Sequence, residues 1–343
     1  MLIRRASKIF TSAGLLLAVC FFMPSISFTQ VKWVNVDSSF GPLPKDFHVY
    51  KTSSMLDGKA FVAYYAETRL KAKKLDFTTD TTYKRRLTPK QFYEKNDQPL
   101  LLVNTTFFSF ATHQNLNVVI KDGKLVGYNI HTIPMRGKDT FQYRHPIGSA
   151  IGIDKNRNAD IAWLLTDSAK RFAYGYQNVP RNLKDSIPTP AFRYLASQKW
   201  YFDAAHTKDK PIFKNHHLKK WQMKTAVGGG PVLLQNGQVL ITNNEELKFA
   251  GKAINDKHPR TCMGYTKDGR LIIMVIQGRF PGIAEGASLT QEAQLLKDLG
   301  CVEALNLDGG GSSCMLINGK ETITPSDKGQ QRPIPAVFII RRK

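Results

Sequence analysis

Four times the chain sets Asp-Gly or Asn-Gly between two apolar runs: Lys121-Asp122-Gly123, Gln235-Asn236-Gly237, Lys267-Asp268-Gly269 and Ile317-Asn318-Gly319. These dipeptides favour the left-handed backbone of tight hairpin turns, so each predicts a pair of antiparallel strands. The run AFVAYYAETRL from Ala60 alternates as a strand does, and PLLLVN (99–104) reads as a buried strand that ends on a polar residue. Helix is scarcer. In SLTQEAQLLKDLG, Ser288 with Gln291 makes a capping box, Leu295, Leu296 and Leu299 give a helical stripe, and Gly300 closes it. The strand VEALNL follows at once. Hairpin, helix, then strand predicts an α+β fold: a single β-rich domain with mixed or antiparallel sheet and a few packed helices, rather than a doubly wound parallel sheet.

The 343 residues, 42% of them hydrophobic, are enough for one large domain or two ordinary ones. Residues 1–29 read as a secretory signal: Arg4, Arg5 and Lys8 precede the apolar stretch Leu15 to Met23, and Ser25 and Ser27 follow. That apolar stretch falls short of the roughly 20 residues of a membrane span, so no stable membrane insertion is expected once the signal is removed. Val19 stands where a small residue would precede a lipid-modified Cys20, which makes lipoprotein anchoring the weaker reading. The expected location is periplasmic or extracellular. Residues 30–58, polar and proline-punctuated, read as a lead-in to a domain over 59–343. Residues 165–222 lack periodicity and read as an insertion or cap.

Lysine and arginine number 49 against 27 acids, a net charge of +22, which favours anionic neighbours. No nucleic-acid-binding signature accompanies the charge, so the expected partners are phosphorylated or otherwise anionic glycans and not nucleic acid. The runs Lys71 to Lys74, Lys84 to Arg86 and Lys219-Lys220 read mainly as solvated faces. After Cys20 leaves with the signal, Cys262, Cys301 and Cys314 remain, an odd number without C-x-x-C spacing, and free thiols are expected. His113, His131, His145, His206, His216 and His217 are dispersed, so neither a metal site nor a cofactor is expected.

The chemistry concentrates in ALNLDGGGSSC (304–314). On a strand, Leu305 and Leu307 point one way into a core while Asn306 and Asp308 point the other. Beyond them Gly309, Gly310 and Gly311 can offer successive amides to an anion, with Ser312 and Ser313 adding hydroxyls. A tight turn accounts for one or two glycines; three after an acid point to a site. A second triplet, Gly228, Gly229 and Gly230 in VGGGPVLL, predicts a second approach of backbone to a ligand. In HPRTCMGYTKDGRLIIMVIQGR, His258 and Arg260 enter one strand of a hairpin while Gln277 and Arg279 leave the other. Antiparallel pairing can then bring Arg260 beside Arg279, either as a clamp for phosphate or carboxylate or as two exposed arginines capping the hairpin. Asn104, in VNTTFF, ends the strand before it.

These elements, with the closing RPIPAVFII, run in order from about residue 60 to the C terminus and resemble the phosphodiester glycosidase family. The likeness is strongest over the last hundred residues. It implies an α+β domain that hydrolyses the bond between a sugar's anomeric carbon and a phosphate diester, with N-acetylglucosamine as the implied sugar. The family's motif positions fall on Asn104, Gly228, Gly229, Gly230, His258, Arg260, Arg279, Asn306, Asp308, Gly309, Gly310, Gly311 and Ser312. The chain departs from the family pattern at Thr105, where a glycine is frequent, at Gln277, where an acid is frequent, and at Cys314, where a threonine is frequent. The missing acid at 277 removes one potential partner for Asp308.

The expected roles follow from the leaving group. A phosphate monoester, with a second pKa of about 6, departs without a strong acid if cations hold its charge. Asp308 is therefore expected as base or nucleophile, Arg260 and Arg279 on the phosphate, His258 in proton transfer or orientation, and Asn306 and Asn104 on sugar hydroxyls. Glu285 is a reserve carboxylate. Two other readings stay open from the residues: a metal-dependent phosphodiesterase acting at phosphorus, and a non-catalytic binder of anionic envelope polymers. A serine hydrolase built on Ser312 lacks the G-x-S-x-G turn.

Overall fold

The computed structural model describes residues 31–197, 219–250 and 254–343. The signal-like segment and His206, His216 and His217 lie outside the described residues. The fold is mostly strand, in antiparallel sheets, with a few helices. An eight-stranded sheet runs in the order 34–35, 47–56, 59–69, 270–276, 260–266, 301–306, 232–235, 238–239. A seven-stranded sheet is ordered 219–220, 172–176, 159–167, 148–153, 225–228, 119–121, 124–127. A five-stranded sheet is ordered 320–321, 315–317, 101–104, 336–342, 75–81, and a small three-stranded sheet joins 183–185, 143–145 and 133–134.

Each Asp-Gly or Asn-Gly pair turns a hairpin as the sequence requires. Asn236 and Gly237 (φ 52° and 75°) and Asn318 and Gly319 (φ 47° and 78°) all sit in the left-handed region. The helix Leu289–Asp298 carries both hydrogen bonds of the Ser288–Gln291 capping box. A second helix, Pro89–Lys95, is capped in the same way by Thr88 and Gln91.

Side-chain alternation explains how the sheets stack. Leu101 and Val103 join a core shared with Phe47, Ile273 and Leu305 of the eight-stranded sheet and Ile151 and Trp163 of the seven-stranded sheet. Leu102, between them, packs the other way against Phe92 of the Pro89–Lys95 helix. PLLLVN is apolar throughout because both of its faces are covered. Leu305 and Leu307 likewise enter the shared core, while Ala304 joins the opposite layer with Leu289, Ala293 and Leu296. The three large sheets thus meet around one core, and strand ends from all three converge on the segment after Asn306.

Two expectations about organisation change. Within the lead-in, Phe47–Leu56 is a full strand paired with Lys59–Arg69 along its length, so the sheet begins before residue 59. The strand's Lys51, Thr52, Ser53 and Ser54 hide the apolar alternation in the sequence. The first part of 165–222 belongs to the body of the fold, since Ala159–Asp167 and Phe172–Tyr176 are paired strands of the seven-stranded sheet.

Candidate active site

Asp308 sits where the eight- and five-stranded sheets abut, and its backbone is gripped from both. Its amide donates to Thr105 O at 2.7 Å. Its carbonyl accepts from Asn104 Nδ2 at 2.6 Å. Leu307 N is held by Thr261 O at 2.8 Å, and Gly310 N by Pro259 O at 2.8 Å, which draws the His258-Pro259 segment beneath the glycines. Position and direction of the Asp308 side chain are therefore set by main-chain contacts on both sides, the preorganisation that a reacting group needs.

One edge of the carboxyl is closed in: the residue is half-buried, and Oδ2 is out of reach of solvent and makes no hydrogen bond of regular geometry. Burial pushes its pKa up to about 7, opposed in order by the Ser312 hydroxyl, the Arg332 guanidinium and the Gly309 amide. Ser312 Oγ lies close enough to favour the carboxylate, yet it too lacks a hydrogen bond of regular geometry. An acid poised near neutrality in a recess is suited to proton transfer.

Arg332 packs directly against Gly311, where any side chain would collide with its guanidinium. Its Nε donates to Asp327 at 2.8 Å, and it lies 5.4 Å from the centre of the Phe110 ring. On the other side of the loop stands Arg279, exposed, with left-handed backbone (φ 67°) and Nη2 3.1 Å from where a Cβ on Gly310 would lie. His258 is half-buried with an unpartnered Nδ1, and burial, then Arg260 and Arg279, hold its pKa below the ordinary histidine value. Neutral imidazole is the form this setting favours near pH 7. Arg332, at Gly311, is thus the cation that acts on Asp308, while Arg279, near Gly310, is the one felt by His258.

Several expected roles are corrected by the contacts. Arg260 is 2% exposed, and its Nε and Nη2 donate to Ala287 O and Asp256 O. Its charge faces the buried Glu292, so it braces the wall behind Arg279 and does not form one jaw of an open clamp. Its strand partner is Ile276; Arg279 lies three residues beyond, after the chain has turned. Asn104, 0% exposed, has both ends of its amide engaged: Nδ2 on Asp308 O, and Oδ1 with Thr261 Oγ1 (2.8 Å) and Cys314 N (3.0 Å). It positions Asp308 instead of offering itself to a hydroxyl. Asn306 is equally buried; its Nδ2 donates to Gly230 O at 2.7 Å, and only Oδ1 lacks a partner.

The first glycine triplet is an assembly joint. Gly228, Gly229 and Gly230 donate their amides to Val118 O, Ser149 O and Asn306 O, tying the seven-stranded sheet to the eight-stranded one. A Cβ on Gly229 would overlap Asn306 O and approach Leu307 Cδ2 to 2.7 Å, so backbone meets backbone here, not a ligand. In the second triplet the Gly310 amide is also engaged, and those of Ser312 and Ser313 close a short 3-10 turn onto Gly309 O and Gly310 O. The nest expected over Gly309, Gly310 and Gly311 is correspondingly reduced, and what the triplet supplies is room for Arg279 and Arg332 to lie against the loop. Glu285 accepts from Gly282 N within its own loop. Two residues escaped the sequence reading: Arg332, whose signal was the RPIP motif, and Glu292, inside TQEAQLL, a fully buried carboxyl raised by burial to about 7, with Arg260 opposing.

This architecture has known counterparts. Residues 186–341 match the phosphodiester glycosidase family. Over 106 residues the chain is 30% identical to mouse N-acetylglucosamine-1-phosphodiester alpha-N-acetylglucosaminidase and 32% identical to the human enzyme, covering 29% of this chain in each case. The chain spans about a fifth of the length of these curated relatives, 20% of each. The catalytic domain of the zebrafish enzyme superposes with a TM-score of 0.56 at 18% identity, covering 92% of this chain and 89% of that one. A hypothetical protein from Synechocystis gives 0.55 at 14% identity, covering 87% and 62%. Those two likenesses establish the fold over nearly the whole chain, upstream of the family match as well.

Proposed function

We propose that this protein is an exported hydrolase that cleaves sugar-1-phosphodiesters at the bond between C1 and the phosphate oxygen. The proposed sugar is N-acetylglucosamine, and the acceptor a phosphorylated glycan of envelope or exopolysaccharide type. Export is supported by the basic and apolar N-terminal pattern, and the glycan class by the net charge of +22. The observation that carries the reading is Asp308, a carboxyl raised to about 7 with one oxygen left without a regular hydrogen bond, in a loop where Arg332 lies against Gly311 and Arg279 near Gly310.

In this reading the ionised Asp308 takes a proton from a water that attacks C1. The C1–O bond breaks, its electron pair stays on the departing phosphate monoester, and Arg279 and Arg332 hold that charge. His258, neutral and next to Arg279, accepts or donates at the phosphate edge. No second carboxyl is needed as acid, because the leaving group is already a weak base. Assay of the mature protein on N-acetylglucosamine 1-phosphodiesters should release free sugar and phosphate monoester in equal amounts, unchanged by chelator. Release of a sugar phosphate together with the acceptor alcohol would refute the assignment.

A further inference from the structure

A second cavity of about 300 Å³ opens beside the Asp308 loop, lined among others by Phe107, Leu116, Ile130, Pro146 and Lys248. A single residue, Thr106, separates Phe107 from Thr105, whose carbonyl holds the Asp308 amide. The Phe107 ring lies 6.0 Å from Phe249, over which the Arg260 guanidinium sits at 5.6 Å. Lys248 also packs on Gly230, which exchanges hydrogen bonds with Asn306 two residues before Asp308, so the cavity lies close to the Asp308 loop.

Its polar groups are almost all engaged within the protein. Asn129 donates to Gly148 O and Leu164 O and accepts from Val118 N. Asn117 accepts from Phe107 N and donates to Gly229 O. The Glu246 carboxylate accepts from Ser149, Trp163, Val232 and Thr242. The exception is Lys248. Its Cδ and Cε pack on Gly230, where a side chain would collide with them, and its Nζ stands 5.4 Å from the Phe107 ring centre. The side chain is half-buried, and among the described residues its ammonium has neither a hydrogen bond nor an ion pair. Burial depresses its pKa, with Glu246 the opposing influence. Half-buried, with Nζ not closed off from solvent, the side chain can turn its charge to a ligand anion in the cavity.

We propose that this cavity is a sugar subsite for a pyranose bearing a carboxylate, a uronic acid unit, adjoining the bond hydrolysed at Asp308. The volume lies at the small end of the roughly 300–1,000 Å³ of ligand pockets and suits one ring. Phe107 and the aliphatic walls face the ring's C–H surface, and Lys248 takes the carboxylate. One ammonium matches a monoanion; a phosphate monoester, at about −1.5 to −2, would call for more donors than the cavity offers, and the substrate's phosphodiester, also a monoanion, is assigned in this reading to Arg279 and Arg332. The inference rests on the glycosidase reading for the adjoining bond and adds an acidic sugar to the substrate.

The full mature chain carrying Asp308→Asn, in which turnover is expected to be very slow, should be titrated calorimetrically with methyl glucuronide, methyl glucoside and acetate. The glucuronide should bind at least tenfold more tightly than either of the others, and Lys248→Met or Lys248→Gln in that background should lower its affinity to that of the glucoside. Equal binding of the three probes, no binding of the glucuronide, or a preference that survives both lysine variants would overturn the proposal. Acetate as tight as glucuronide would also overturn it, by showing a bare carboxylate site. Failure of the sugar-release assay would leave this comparison readable, so the two ideas fall separately.

Discussion

Asp308→Asn should lower kcat on a sugar-1-phosphodiester by about a thousandfold and, at the same time, make the protein more stable at alkaline pH. The first effect is that of losing a general base, worth roughly 10²- to 10⁴-fold. The second follows from proton linkage. The folded pKa of Asp308 is raised from 3.8 to about 7, chiefly by burial, so between those values the folded state holds a proton that the unfolded chain has released. Stability contributed by this group therefore falls as pH rises through that window, and ionised Asp308 is a liability above it. Asparagine removes the liability: the variant should be more stable by about 2–4 kcal/mol at pH 8, and the advantage should vanish below about pH 4. Denaturant melts of both proteins at pH 4 and pH 8 give the comparison. A pH-independent difference would mean that Asp308 is not held in a closed-in recess. The wild-type rate should rise with pH through about 7, as the carboxyl ionises.

Arg332→Met should reduce kcat/KM by about 10²- to 10³-fold, the usual effect of removing a preorganised donor to a developing anion. It should also move the acidic limb of the rate profile to higher pH, because the guanidinium is one of the groups opposing the upward shift of Asp308. Arg332→Lys separates the two contributions. It keeps the charge, hence the position of the limb, but loses the planar fork that lies against Gly311 and that, in the proposed function, would hold a phosphate with two parallel bonds. A rate loss in the methionine variant with no movement of the limb would place Arg332 away from Asp308 in solution and weaken its assignment to the phosphate.

The sequence disclosed local structure well and the meaning of its glycines poorly. Hairpins at Asn236-Gly237 and Asn318-Gly319, and the helix capped by Ser288, follow from turn and cap chemistry that acts within a few residues. Asp308 stood out because an acid at a strand end before three glycines has few structural uses. The two triplets look alike in the sequence and differ in the fold. Gly229 lets Asn306 O approach from another sheet, whereas Gly311 makes room for a guanidinium from residue 332. Nothing within a few residues of either glycine distinguishes these cases, since the partner in each arrives through long-range sheet assembly.

Asn104 and Arg260 illustrate the same limit. Polar residues at strand ends read as ligand contacts, yet the convergence of three sheets leaves backbone groups to be satisfied, and Asn104 with its Asp308, Thr261 and Cys314 bonds meets that need. Arg332, 24 positions after Asp308, could be tied to it only through the arrangement of the five-stranded sheet, where Ala336–Arg342 pairs with Leu101–Asn104.

The site's central claim concerns which bond breaks. Hydrolysis of an N-acetylglucosamine 1-phosphodiester in water enriched in oxygen-18, followed by phosphorus NMR of the released monoester, addresses it directly. Attack at C1 by water activated at Asp308 predicts a monoester free of the heavy isotope; a monoester carrying one oxygen-18 atom would place the attack at phosphorus and contradict the account.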